Sequence, residues 1–158
     1  MVILFMQYLI IFLISMVPLI ELRGAIPYAI GFKLPLLPSY IICILGNMLP
    51  VPFIFLFARK ILVWGSDKKY IGGFFNWCLK KGEKGGKKLQ EKAGRGLYAA
   101  LFLFVGIPLP GTGAWTGTLA ASLLDMDFKK STLAVMCGVV LAGIIMGLVS
   151  GGVFSFIR

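Results

Sequence analysis

Two opposite charges stand close together where charge is least expected. Glu21 and Arg23 follow twenty residues without a single Asp, Glu, Lys or Arg. Both lie in the Pro-bounded stretch Pro18-Leu19-Ile20-Glu21-Leu22-Arg23-Gly24-Ala25-Ile26-Pro27-Tyr28. Charge at membrane depth is costly and persists where it faces a partner, a cavity or a substrate path. Arg23 offers a planar, permanently charged guanidinium suited to phosphate or carboxylate. Glu21 offers a carboxylate that can exchange a proton. A second group of polar and aromatic side chains, Thr112, Trp115 and Thr116, flanks the stretch Gly106-Ile107-Pro108-Leu109-Pro110-Gly111-Thr112-Gly113. These could line the same pathway. The bland alternatives are that Glu21 and Arg23 mark the interfacial end of an ordinary first helix, and that Trp115 only packs. Asn47 reads as interhelical glue before it reads as a ligand.

Other chemistries lose their parts. The chain has no His, which removes His-based triads and His-containing zinc motifs. Cys43, Cys78 and Cys137 are odd in number and widely spaced, which fits neither a disulfide framework nor a paired metal site. The Gly- and Lys-rich stretch Gly82 to Gly96 does not match a phosphate-binding loop. No nucleophile, base and metal set can be assembled, so we expect neither an enzyme nor a cofactor.

The elements that must position these residues are membrane elements. Of the 158 residues, 59% are hydrophobic and 14% charged, with a mean hydropathy of +0.94. That is too apolar for an ordinary water-soluble fold. Four apolar blocks follow one another, Met1 to Ile20, Leu34 to Ala58, Leu97 to Leu124 and Ser131 to Ile157, so the chain reads as one all-α membrane domain. Between them, residues 59–96 carry eleven Lys or Arg against three acidic residues, most of the net +10. A basic loop beside spans is expected on the cytoplasmic side rather than on a nucleic acid. Within it, Tyr70 to Leu79 reads as a short interfacial helix on an anionic leaflet.

Residues 34–58 and 131–157 read as plain spans, the first kinked at Pro50 and Pro52. Along the second, Gly143, Gly147 and Gly151 recur every fourth residue, expected to admit a neighbouring helix, within the chain or across a dimer. Residues 1–32 and 97–124 are different. Each is interrupted by Pro and Gly, and the latter is too broken for a rod and too short for two full crossings. The economical reading is two re-entrant hairpins, each followed by one span, so that the second unit enters from the opposite face as an inverted repeat. The hairpin breaks would expose free backbone groups near the bilayer centre, which makes Gly24, Pro27, Pro108, Pro110, Gly111 and Gly113 part of the candidate site. Asp125 and Asp127 are expected at the interface, capping the last helix.

With these motifs in hand, the chain resembles the small multidrug export protein family. The resemblance rests on Glu21-Leu22-Arg23-Gly24-Ala25-Ile26-Pro27 and on Gly106 through Gly117, and covers essentially the whole chain. The layout is also similar to the DedA membrane proteins, which are implicated in flipping polyprenyl-phosphate carrier lipids. Those proteins place arginines around the second hairpin's proline, where this chain has Val105 and Gly111. The resemblance implies substrate-handling roles for Glu21 and Arg23.

The leading expectation is a proton-coupled transporter of the prokaryotic cytoplasmic membrane that moves an anionic amphiphile, such as a polyprenyl phosphate, with Arg23 as anion site and Glu21 as proton carrier. A second is export of lipophilic cations with Glu21 as counter-ion. The third is a membrane scaffold without transport. The expected partners are membrane lipids, an amphiphilic substrate and protons.

Overall fold

The computed structural model describes residues 2–18, 20–70, 72, 73, 75–77, 80, 96–109 and 111–156, without the side chains of residues 59 and 154–156. Among these residues every regular element is helical. The order is α1 (Val2–Met16), α2 (Glu21–Gly31), α3 (Leu36–Met48), α4 (Val51–Ser66), α5 (Leu97–Gly106), α6 (Ala114–Leu123) and α7 (Phe128–Phe156).

Each boundary has a local cause. Helix α1 ends just before Val17-Pro18, because a proline disfavours helical backbone at the residue before it. Helix α2 starts at Glu21, whose φ of 53° puts a non-glycine residue in the left-handed region and swings the chain into a new direction. Helix α5 stops at Gly106, since Ile107 before Pro108 is extended, with ψ 118°. Helix α6 opens after Gly113, whose φ of 144° is open to glycine and strained for any other residue. Helix α7 is capped as expected: Asp127 Oδ1 accepts from the Lys130 N–H at 2.9 Å.

The expected plain spans are present. Leu36–Ala58 and Phe128–Val153 are each long and apolar enough to cross a membrane. The first comprises α3 and the start of α4, joined at Leu49-Pro50. There the backbone stays helical and the Leu49 and Ile54 amides still find carbonyls four residues back, so the prolines do not end the span. The interrupted blocks give short helices instead. Helices α5 and α6 have ten residues each, about 15 Å apiece against a hydrocarbon core of about 30 Å.

Helix α7 is the central post, packed by α5, α2, α6 and α3. Small residues let backbones approach. A Cβ at Gly138 would lie 2.7 Å from Val105 Cβ and 2.9 Å from the Phe102 carbonyl, and one at Gly46 would lie 2.7 Å from the Phe12 carbonyl. The predicted Gly143, Gly147 and Gly151 stripe meets a neighbouring helix of this chain at Gly143. Gly143 meets the Tyr40 ring, but space is open where a Cβ would stand on Gly147 and Gly151. Leu148, Val149 and Val153 beside them are exposed, whereas Ser150 on the same turns is buried. The helix packing falls to Gly46, Gly106, Gly117, Gly138 and Gly143.

Large apolar side chains cover the outside, among them Leu37, Phe53, Leu103 and Leu148, the surface a protein presents to lipid rather than water. Of the predicted interfacial helix, Gly72, Gly73, Phe75, Asn76 and Trp77 are helical. Leu79 and most of the Lys-rich stretch lie outside the described residues, as does Cys78. Cys43 is buried and Cys137 exposed, both as free thiols.

Candidate functional site

The break between α5 and α6 leaves backbone groups without helical partners, and a chain in lipid must satisfy them internally. Helix α2 supplies both partners. The Glu21 carboxylate, only 4% exposed, accepts from the Ala114 N–H through Oε2 at 3.1 Å and from the Trp115 N–H through Oε1 at 3.0 Å. It is an N-cap delivered from another helix, with its negative charge on the positive end of the α6 dipole.

Two residues on, Arg23 does the opposite at the end of α5. Its Nη2 donates to the carbonyls of Val105 at 2.9 Å and Ile107 at 3.3 Å; its Nη1 donates to the Leu109 carbonyl at 2.8 Å and to Thr112 Oγ1 at 3.0 Å. A cation thus sits on the negative end of the α5 dipole. The Thr112 hydroxyl also lies within 3.0 Å of the Ile107 and Leu109 carbonyls. Between Glu21 and Arg23, Leu22 is fully buried and anchors the turn in the core.

The exchange runs both ways. Trp115 Nε1 donates to the Met16 carbonyl at 3.1 Å, satisfying an acceptor at the end of α1. Gly113 makes the approach possible. A Cβ there would overlap the Glu21 carboxylate, with Cδ only 2.8 Å away. Gly111, with φ 80°, has open space around it.

A cavity of about 500 Å³ lies beside this junction, lined by Pro18 and Glu21 from the first break, Thr112, Trp115, Thr116 and Leu119 from the second, and Phe53, Ile54, Phe57, Ala58, Ile61 and Leu62 from α4. Its described wall is almost wholly apolar, and Glu21 is the charged residue among the described lining. Arg23 is not part of the lining. Helix α4 is held against α6 by the Ser122 hydroxyl, which donates to the Phe55 carbonyl at 2.7 Å.

The structure therefore brings Glu21, Arg23, Thr112, Gly113, Trp115 and Thr116 together as the two breaks' shared junction, and divides their work. Thr116 Oγ1 lies 3.4 Å from the Gly113 carbonyl, a weak local contact, and faces the cavity. Gly24 packs under the Ile20 side chain, where a Cβ would clash. Pro27 sits inside α2 and borders a different, shallow hollow with Tyr28, Gly31 and Phe32, away from Glu21's cavity. Pro108 lies in the break itself; Pro110 lies outside the described residues. Asn47 is buried, and its Oδ1 has no hydrogen-bond partner among the described residues.

Sequence reasoning missed the α4 wall. Phe53, Phe57 and Ile61 recur at i, i+4 and i+8, a stripe that could have been read, but nothing in the letters distinguishes a cavity wall from a lipid face. It also missed the backbone acceptors at Val105, Ile107 and Leu109, which are invisible to residue type. Among the described residues there is no cluster of His, Cys, Asp and Glu able to hold a metal ion.

No curated protein and no solved structure matches this chain. A protein-family profile does, over residues 21–145, a segment that begins at the capping carboxylate and contains the second break and every cavity-lining residue but Pro18. The chain belongs to the family described as putative small multi-drug export protein.

Proposed function

We propose that this protein is an exporter of lipophilic cations, with the 500 Å³ cavity as its substrate site and Glu21 as the counter-charge. The observation that carries the reading is the separation of the two charges: Glu21 borders an apolar cavity, whereas Arg23 is turned away onto three carbonyls and a hydroxyl. Each carboxylate oxygen accepts one N–H, and lone pairs remain on both for a second contact. An apolar wall with one negative group binds a delocalised cation without a large desolvation penalty.

The anionic-amphiphile reading, with a polyprenyl phosphate on Arg23, gains no support from this geometry. An anion taking the Nη groups of Arg23 would displace the carbonyls of Val105, Ile107 and Leu109, leaving them unsatisfied in lipid, at a cost of about 1–3 kcal/mol each.

The proposal keeps the two-hairpin architecture: α5 and α6 dip in and return, α1 and α2 do the same from the other face, and the units form an inverted repeat like that of the DedA proteins. The half-membrane lengths of α5 and α6 support it. The basic segment 59–96 lies on the cytoplasmic side of a prokaryotic cytoplasmic membrane under this reading. A proton on Glu21 would release the cation and supply the coupling.

Ethidium flux into proteoliposomes tests the reading. Glu21→Gln is expected to abolish flux driven by a pH gradient. Because Glu21 also holds α6, Ala58→Trp provides an independent arm: it fills the cavity from α4 and touches neither charge. Flux that survives both changes would remove the assignment.

A further inference from the structure

The mouth of the cavity tells where its occupant comes from. Phe53 is 62% exposed, Phe57 49% and Ile61 54%, yet all three line the cavity. They belong at once to the cavity wall and to the outer surface of α4. Phe53 and Ile54 fall well within the apolar span Leu36–Ala58, with Phe57 and Ala58 at its end, so the Phe53 part of the rim is placed to face acyl chains. The charged residues begin at the end of that span, with Lys60 two residues past Ala58 on α4 and Lys68 just after the helix. Lys60 Nζ lies 5.9 Å from the Phe57 ring centroid, reaching back over it, and Lys68 Nζ lies 4.4 Å from the Trp64 ring centroid. Such aromatic and lysine anchors sit at the headgroup level. Trp115, half-buried across the cavity, is fixed there by its bond to the Met16 carbonyl.

We infer that the cavity opens sideways into the leaflet on the basic side, and that a hydrophobic cation already dissolved in that leaflet enters between α4 and α6, stacks on Phe53 and Phe57, and brings its charge to Glu21. This rests on the proposed cation export and adds the route and the class of substrate: membrane-partitioned cations, rather than hydrophilic cations taken from the aqueous phase. Two features favour a cation over an acyl chain as occupant. Aromatic faces attract cations, and a buried carboxylate in an otherwise apolar wall gives nothing to a hydrocarbon tail.

Trp115 reports the route directly. In the full chain carrying Trp64→Phe and Trp77→Phe, reconstituted in phosphatidylcholine vesicles, its fluorescence is expected to fall by more than half when the lipid is brominated at mid-chain, and to be little affected by iodide in the water. Tetraphenylphosphonium should relieve the bromine quenching, and tetraphenylborate, of the same shape and opposite charge, should not. Iodide quenching without bromine quenching would overturn lateral entry. Relief by tetraphenylborate, or by neither ion, would overturn the cation as occupant. Ethidium flux distinguishes the two claims: loss of lateral entry with flux still dependent on Glu21 removes only this inference, whereas Glu21-independent flux removes the exporter reading beneath it.

Discussion

The first and second helix breaks solve the same problem with opposite materials. The break between α1 and α2 keeps its charges, Glu21 and Arg23, and its chain turns through a left-handed glutamate. The break between α5 and α6 has no charge at all between Leu97 and Leu124, and turns through Gly111 and Gly113. The difference teaches that the two breaks are not independent. One exports ionic groups, the other exports backbone ends, and the α6 amides and α5 carbonyls are satisfied only when the two meet. A charged side chain reaching unpaired backbone in lipid satisfies both at once, since each would be costly alone.

The asymmetry can be broken from the charged side first. Arg23→Ala strips donors from three carbonyls and Thr112, and should cost about 3–5 kcal/mol, read as a large fall in the thermal midpoint in detergent. Arg23→Lys should recover part of that, because an ammonium can reach some of the acceptors but lacks the planar fork. From the glycine side, Gly113→Ala combines a forbidden φ with displacement of the Glu21 carboxylate, and should cost about 2–4 kcal/mol. Gly111→Ala meets open space and carries only the conformational penalty, about 1–2 kcal/mol; equal effects at the two glycines would contradict the close approach at Gly113. Glu21→Gln keeps one acceptor oxygen and loses the charge, for an expected loss of about 1–3 kcal/mol. The smallest change is Trp115→Phe, which keeps the ring in the cavity wall and frees the Met16 carbonyl, at about 1 kcal/mol.

Much of this was legible in the letters. The apolar blocks, the breaks at Pro18 and at Gly106 through Gly113, the joint at Pro50 and the Asp127 cap all follow from residue types whose backbone preferences are strong and local. The importance of Glu21 and Arg23 was legible too, since charge in an apolar run demands a partner. What the partner would be was not. Arg23 reads as an anion receptor by side-chain chemistry, but the acceptors it meets are carbonyls of Val105, Ile107 and Leu109, and every residue type carries a carbonyl. The glycine stripe was legible only in part, for a related reason. Spacing shows that Gly147 and Gly151 could admit a helix, but only the course of the neighbouring helices decides that Gly143 and Gly138 do. The cavity depended on α4 standing off from α6 over one stretch while Ser122 holds it at another, a long-range matter that no local pattern encodes.

The central claim is that Glu21 holds the start of α6. Amide proton NMR of the micelle-embedded protein addresses it at the two atoms concerned. The Ala114 and Trp115 N–H signals should lie downfield and exchange slowly with solvent in the parent chain; in Glu21→Gln both should move upfield and exchange faster, with Val135 and Val139 in the core of α7 unmoved. Ala114 and Trp115 signals that keep their positions and exchange rates without the carboxylate would contradict it.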